Sequence, residues 1–122
     1  MNTILATLSV LLAATYAATG SSKLVASRER LLAVPGMGWV EDAPLPRVRL
    51  IGVLEIAGAI GIIVPWATGI LPALTPLAAW GLAAVQVGGI WTHLRMGERE
   101  HLWLNILLLV AAVVVAIGRT IA

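Results

Sequence analysis

The chain has 122 residues, of which 60% are apolar and 11% charged, with a formal net charge of +2 and no cysteine. A water-soluble domain of this size would carry about 25% charged residues, so a mean hydropathy of +0.98 makes this an integral membrane protein. The excess positive charge is too small and too dispersed for nucleic acid, and the lack of cysteine excludes disulfides, thiol relays, cysteine-ligated iron–sulfur clusters and a cysteine nucleophile.

The first 22 residues hold no charged side chain before Lys23. Asn2 to Gly20 is long enough to cross about 30 Å of hydrocarbon at ~1.5 Å per residue. A secretory signal is the rival reading, but no basic segment precedes the apolar run. A linker follows, from Ser21 to Arg47. Within it, Lys23 to Val34 mixes charges with Leu24, Val25, Leu31 and Leu32, a pattern suited to a short interfacial helix that Pro35-Gly36 would stop. That segment could cover the mouth of a bundle, although an ordinary surface connector is the preferred reading.

Pro44 and Pro46 suit the start of a helix better than its interior. A second span is predicted over 49–65, closed by Pro65-Trp66. Thr75 as N-cap and Pro76 at the first helical position open a third, over 75–93. The charged turn Arg95 to Glu100 leads to a fourth over 101–117, which Gly118 and Arg119 close. The predicted fold is all-α, a single transmembrane four-helix bundle with a short amphipathic linker after the first span. Trp39, Trp66, Trp91 and Trp103 are expected as anchors at the membrane surfaces.

Loop charges set the orientation. Lys23, Arg28, Arg30, Arg47, Arg49, Arg95 and Arg99 fall on one side and only Arg119 on the other. The basic loops are therefore placed in the cytoplasm and both termini outside.

Chemistry enters with Glu55. Between Leu50 and Leu94 the only ionisable side chains are Glu55 and His93. A carboxylate at the centre of a membrane helix costs roughly 2.5–3.5 kcal/mol on insertion scales, so such groups usually face a polar interior. Depth groups the rest. Glu55 lies about 9 Å past Arg49, and Gln86 about 10 Å before His93. Asn105 follows His101 by one turn, and span one reaches the same side carrying Thr15, Tyr16 and Thr19 ahead of Lys23. Polar side chains from all four spans thus gather in one leaflet. Helical spacing puts Gly52, Glu55 and Ala59 on one face, and Ala79, Ala83, Gln86, Gly89 and His93 on another. These small residues permit close helix contact.

Each residue also has a plainer reading. Glu55 could be protonated, or paired with a nearby arginine, only to hold the bundle together. Gln86 and Asn105 could join helices rather than touch a ligand. His93 and His101 could be surface residues, Tyr16 an interfacial anchor, and Lys23 a snorkelling side chain. His93, His101 and Glu98 or Glu100 could supply nitrogen and oxygen ligands, but their spacing fits no metal motif, and none is assigned. No cofactor is assigned either. Gly61, away from the Glu55 face, could serve a contact between two copies.

The stretch Arg49-Leu50-Ile51-Gly52-Val53-Leu54-Glu55-Ile56-Ala57-Gly58-Ala59 resembles the second span of DoxX-like membrane proteins. So do the turn from Gly69 through Pro72 to Pro76, the stretch His93-Leu94-Arg95-Met96-Gly97-Glu98, Asn105, and the closing Gly118-Arg119. The Gly20-Ser21-Ser22-Lys23-Leu24 end of span one matches less specifically. The resemblance covers nearly the whole chain and implies a small four-helix protein of the bacterial inner membrane. That family takes its name from a quinone-linked sulfur-oxidising complex, and relatives accompany redox enzymes. Its fold is similar to that of emopamil-binding sterol isomerases, in which acidic residues serve lipophilic ligands. The resemblance adds weight to Glu55, His93, Glu98 and Asn105, and less to Lys23, without giving them roles.

Two functions are compatible with these residues. In the first, the bundle binds a small lipophilic molecule, such as a quinone or isoprenoid. Glu55 and His93 would then be acid–base groups, and Tyr16, Gln86, Asn105, Lys23 and Glu98 would hold the ligand. Isomerisation or ring opening by proton transfer would need no cofactor. In the second, the chain is a non-catalytic subunit that docks a redox partner through its basic linker, or assembles with copies of itself. A cavity beside Glu55 would favour the first and a filled interior the second. An ion pathway would need polar groups in both leaflets, and the far leaflet is apolar.

Overall fold

Long uncharged runs in lipid have one economical solution, because every backbone N–H and C=O must find its partner within the same segment. The computed structural model, which describes residues 2–34, 37–100 and 102–121, shows that solution four times. Helices α1 (Asn2–Val25), α3 (Leu45–Thr68), α4 (Leu74–Arg95) and α5 (Leu102–Ile121) are joined by a five-residue helix, α2 (Arg28–Leu32), and a 3₁₀ turn, Gly38–Glu41. The four long helices are apolar and long enough to cross a membrane, and no strand occurs among the described residues. This is a multi-pass, all-helical membrane protein. The expected stop at Pro35-Gly36 and the candidate His101 lie outside the described residues.

The helices close a ring: α1 packs on α3, α3 on α4, α4 on α5, and α5 returns to α1. Adjacent helices run antiparallel. The end of α1 meets the start of α3 through Lys23 and Arg49, and the second half of α3 meets the start of α4 through Gly61 and Thr75. Along the axis Leu12, Tyr16, Ala59, Ile62, Ala79, Leu82, Ala83, Ala112, Val115 and Ala116 form the main buried cluster. Small and large residues alternate across it. A Cβ on Gly58 would lie 2.5 Å from Leu82 Cδ2, and one on Gly118 at the same distance from Leu5 Cδ2. Leucine thus fills the space that glycine leaves, which supplies the van der Waals contact that holds membrane helices together. Outward-facing Leu50, Val53, Leu54, Val87, Leu107 and Val110 are exposed, as a lipid-facing surface requires.

Several boundaries differ from the sequence expectation. Helix α1 runs on to Val25 because Arg49 meets its last turn, donating from Nη1 to the carbonyls of Lys23 and Ala26 at 2.7 Å each. A cation on orphaned C-terminal carbonyls is a favourable cap. Instead of one interfacial helix over Lys23–Val34, the chain breaks at Ser27. The Ser27 hydroxyl then caps α2 by accepting from the Arg30 N–H at 3.2 Å. Pro65 does not end its span: α3 continues to Thr68, and Gly69, with φ +72°, closes it in the left-handed conformation glycine favours.

Pro65 survives inside α3 because of Thr75. Proline lacks the N–H that would bond the carbonyl four residues earlier, here that of Gly61. The Thr75 hydroxyl donates to Gly61 O from the neighbouring helix at 3.1 Å. Thr75 is therefore not the N-cap of α4; the helix begins at Leu74 and its cap position, Ala73, has no side-chain bond. Gly61 packs against α4, where its Cβ would lie 2.7 Å from the Ala78 methyl. On the far side Arg119 stacks on Trp66 with its guanidinium 4.3 Å from the ring centre.

Candidate functional site

The site begins with a close crossing of α1 and α3. A Cβ on Gly20 would lie 2.9 Å from Gly52 O, and one on Gly52 would lie 2.8 Å from Gly20 O. Side chains on a helix lean toward its N-terminus, so in this antiparallel pair Lys23 and Glu55 lean toward each other across the crossing. Lys23 Nζ reaches Glu55 Oε1 at 2.5 Å, with only 11% and 4% of the two side chains exposed. Lys23 does not snorkel, and the partner of Glu55 is not an arginine. Thr19, one turn before Lys23 on the same face, donates to Glu55 Oε2 at 2.6 Å. Both carboxylate oxygens are thereby engaged, as a buried charge requires.

A further turn back along α1, Tyr16 is 1% exposed, and its phenol oxygen accepts from Gln86 Nε2 of α4 at 2.7 Å. Thr19, Lys23, Glu55, Tyr16 and Gln86 thus form a polar floor drawn from three helices. Above it opens a cavity of about 630 Å³, within the range typical of small-molecule sites. Ile51, Val85, Leu104 and Leu108 supply apolar wall, and Thr15, Thr92, His93 and Asn105 add polar groups.

The linker forms part of this cavity. Val34, Met37 and Trp39 line it, while Leu31, Val40 and Val48 form a small buried cluster behind them. Arg28 fastens the segment: its Nη1 donates to the carbonyls of Val40 and, at 2.8 Å, Ala43. The linker is a cover rather than a surface connector, and Trp39 is directed to the cavity as well as to the surface.

Of the residues singled out in the sequence, Tyr16, Lys23, Glu55, Gln86, His93 and Asn105 all border the cavity. Glu98 stands behind it. Its Oε1 is 3.7 Å from His93 Nδ1, beyond hydrogen-bond length, and a Cβ on Gly38 would lie 2.7 Å from its Oε2. Glu98 Oε1 is buried without a hydrogen-bond partner among the described residues. Thr19 ranked only as one polar residue of that leaflet, although its spacing from Tyr16 and Lys23 put it on their face. The amphipathic pattern of the linker allowed a cover as the less favoured reading. Arg49, Met37 and Trp39 had no such signal, because their roles depend on contacts between segments remote in sequence.

Fold and site together define a polytopic membrane protein whose four-helix bundle holds a polar-floored cavity bordered by its linker. The chain belongs to the DoxX-like family, whose family model matches residues 7–115. No curated protein and no solved structure matches it.

Proposed function

We propose that this protein binds a small lipophilic molecule with one polar end, of the quinone or isoprenoid kind, in the cavity above Glu55. The observation that carries the reading is an apolar-walled space of about 630 Å³ ending on hydrogen-bonding side chains. Tyr16, Gln86 and Asn105 orient the polar end, and the tail lies along Ile51, Val85, Leu104 and Leu108. Glu55, with Lys23 and Thr19 on its two oxygens, organises the floor. His93, backed by the Glu98 carboxylate, is the better-placed group to exchange a proton with a ligand. Binding is the core of the proposal, and acid–base turnover would be added to it.

The charge distribution supports placing the covered end of the bundle at the cytoplasmic face of a bacterial inner membrane, with both termini outside. The competing role, a non-catalytic subunit docking a redox partner by its basic linker, is less well supported. Lys23, Arg28 and Arg49 are turned inward onto Glu55 and backbone carbonyls, and a filled interior would have suited that role better.

Gly89 provides the test. It borders the cavity, and a Cβ there would meet nothing within 4 Å, so Gly89→Leu starts its side chain in open space and should reduce the cavity. Native mass spectrometry of protein released from mild detergent should find a co-purifying lipophile on the wild type and none on Gly89→Leu, at equal thermal stability. Equal occupancy in both forms, or none in either, would remove the pocket from the protein's function.

A further inference from the structure

The cavity wall carries one buried cation and one buried anion in direct contact, Lys23 Nζ and Glu55 Oε1 at 2.5 Å. We infer that this pair selects for ligands whose polar end is uncharged, such as a hydroxyl or a carbonyl, and rejects ionic amphiphiles of either sign. The inference rests on the reading of the cavity as a lipophile site.

The argument is one of charge balance in a poorly solvated space. A bare carboxylate on this wall would attract an ammonium-headed lipophile. Lys23 already occupies that place, and its stem and head come from the protein itself. An ammonium ligand would have to displace Lys23 from Glu55 or stand beside it, leaving one cation without a partner where desolvation is costly. An anionic head, such as a fatty-acid carboxylate, meets the mirror problem at Lys23, because Glu55 is already there. Tyr16 and His93 are the other titratable groups on the wall, and the Glu98 carboxylate stands 3.7 Å from His93 Nδ1. Arg49 has its guanidinium on the carbonyls of Lys23 and Ala26.

What the floor does offer is neutral hydrogen bonding. Gln86 Nε2 donates to the Tyr16 oxygen, so the phenol hydrogen and the second amide hydrogen are unused. If the amide is turned over, Tyr16 donates to it and both amide hydrogens are free. Either way two donors and at least one acceptor remain for an uncharged group. Lys23 and Glu55 are thus specificity residues as a pair, and removing either member should change the class of ligand accepted.

The experiment uses three photoreactive probes of one chain length: diazirine-bearing tetradecanol, tetradecyltrimethylammonium and myristate. Each is added to the full-length protein in phosphatidylcholine nanodiscs, and crosslinks are mapped to peptides spanning residues 85–93 and 104–108. In the wild type the alcohol should label these peptides above both ionic probes by about a hundredfold or more, the equivalent of a single unpaired buried charge. Lys23→Met should shift preference to the ammonium probe, and Glu55→Gln to myristate. The double substitution Lys23→Met/Glu55→Gln has no buried charge to strand and should return to the alcohol.

Cavity labelling by all three probes alike in the wild type overturns the inference while leaving the lipophile site standing. The same holds if the pattern is unchanged in the substituted proteins. Absence of cavity labelling by any probe in any form overturns the lipophile reading itself, and the inference with it. If a single substitution fails to fold, the wild-type preference and the double variant still decide the question.

Discussion

Gly20 and Gly52 face each other where α1 crosses α3, each so close that a methyl group on it would come within 3 Å of the other's carbonyl oxygen. That approach sets the distance between Lys23 and Glu55. A lysine on a more distant helix would find the membrane surface more readily than a buried carboxylate.

Gly20→Ala and Gly52→Ala should therefore destabilise the protein, each by about 1–3 kcal/mol from overpacking against rigid backbone. Helix propensity alone predicts the opposite sign, a gain of roughly 0.5–1 kcal/mol. Thermal or denaturant unfolding in detergent separates the two, and an unchanged or higher midpoint in both variants would contradict the close crossing.

The ion pair should show strong coupling. Glu55→Gln or Lys23→Met alone leaves one buried charge without its partner and should cost about 3–5 kcal/mol, whereas removing both should cost much less than the sum. Additive losses in a double-mutant cycle would mean that the two side chains do not meet in the membrane.

Thr75 and Pro65 make a second coupled pair. Thr75→Val deprives Gly61 O of its donor and should cost about 1 kcal/mol, within the range measured for polar contacts between membrane helices. Pro65→Ala restores an N–H four residues after Gly61. In that background the Thr75→Val loss should shrink, and a cost unaltered by Pro65→Ala would argue against the bond.

The cover can be loosened without touching the bundle. Arg28 holds the carbonyls of Val40 and Ala43, so Arg28→Ala should speed amide hydrogen exchange and proteolysis over residues 37–44. The global unfolding midpoint should shift by less than about 1 kcal/mol equivalent, since local opening is independent of the packed core. Protection unchanged in that segment would show that apolar contact alone secures the cover.

Much of this arrangement is legible along the chain because it depends on local, one-dimensional properties. An apolar run of about 20 residues can satisfy its backbone in lipid only as a helix, which determines the membrane class and the four spans. Depth along each span follows from a fixed rise per residue, and the face of a residue from a fixed rotation. Those two rules place Tyr16, Glu55, Gln86, His93 and Asn105 in one leaflet, facing inward.

Pairing across helices obeys no such rule. Lys23 could have reached water, and Thr75 has the form of a helix cap. Each instead serves a group on another helix, Glu55 and Gly61 O, because the crossing of α1 on α3 and the gap left by Pro65 put those groups within reach. The linker is the clearest case. Its composition suits a surface segment, and it becomes the cover of a cavity only because Arg28 folds it back and Leu31, Val40 and Val48 bury one another. Helical rise and rotation order the side chains along each span and assign their faces. Tertiary packing decided which of them meet, since contact depends on inter-helix distance and side-chain lean, and neither is a property of one segment.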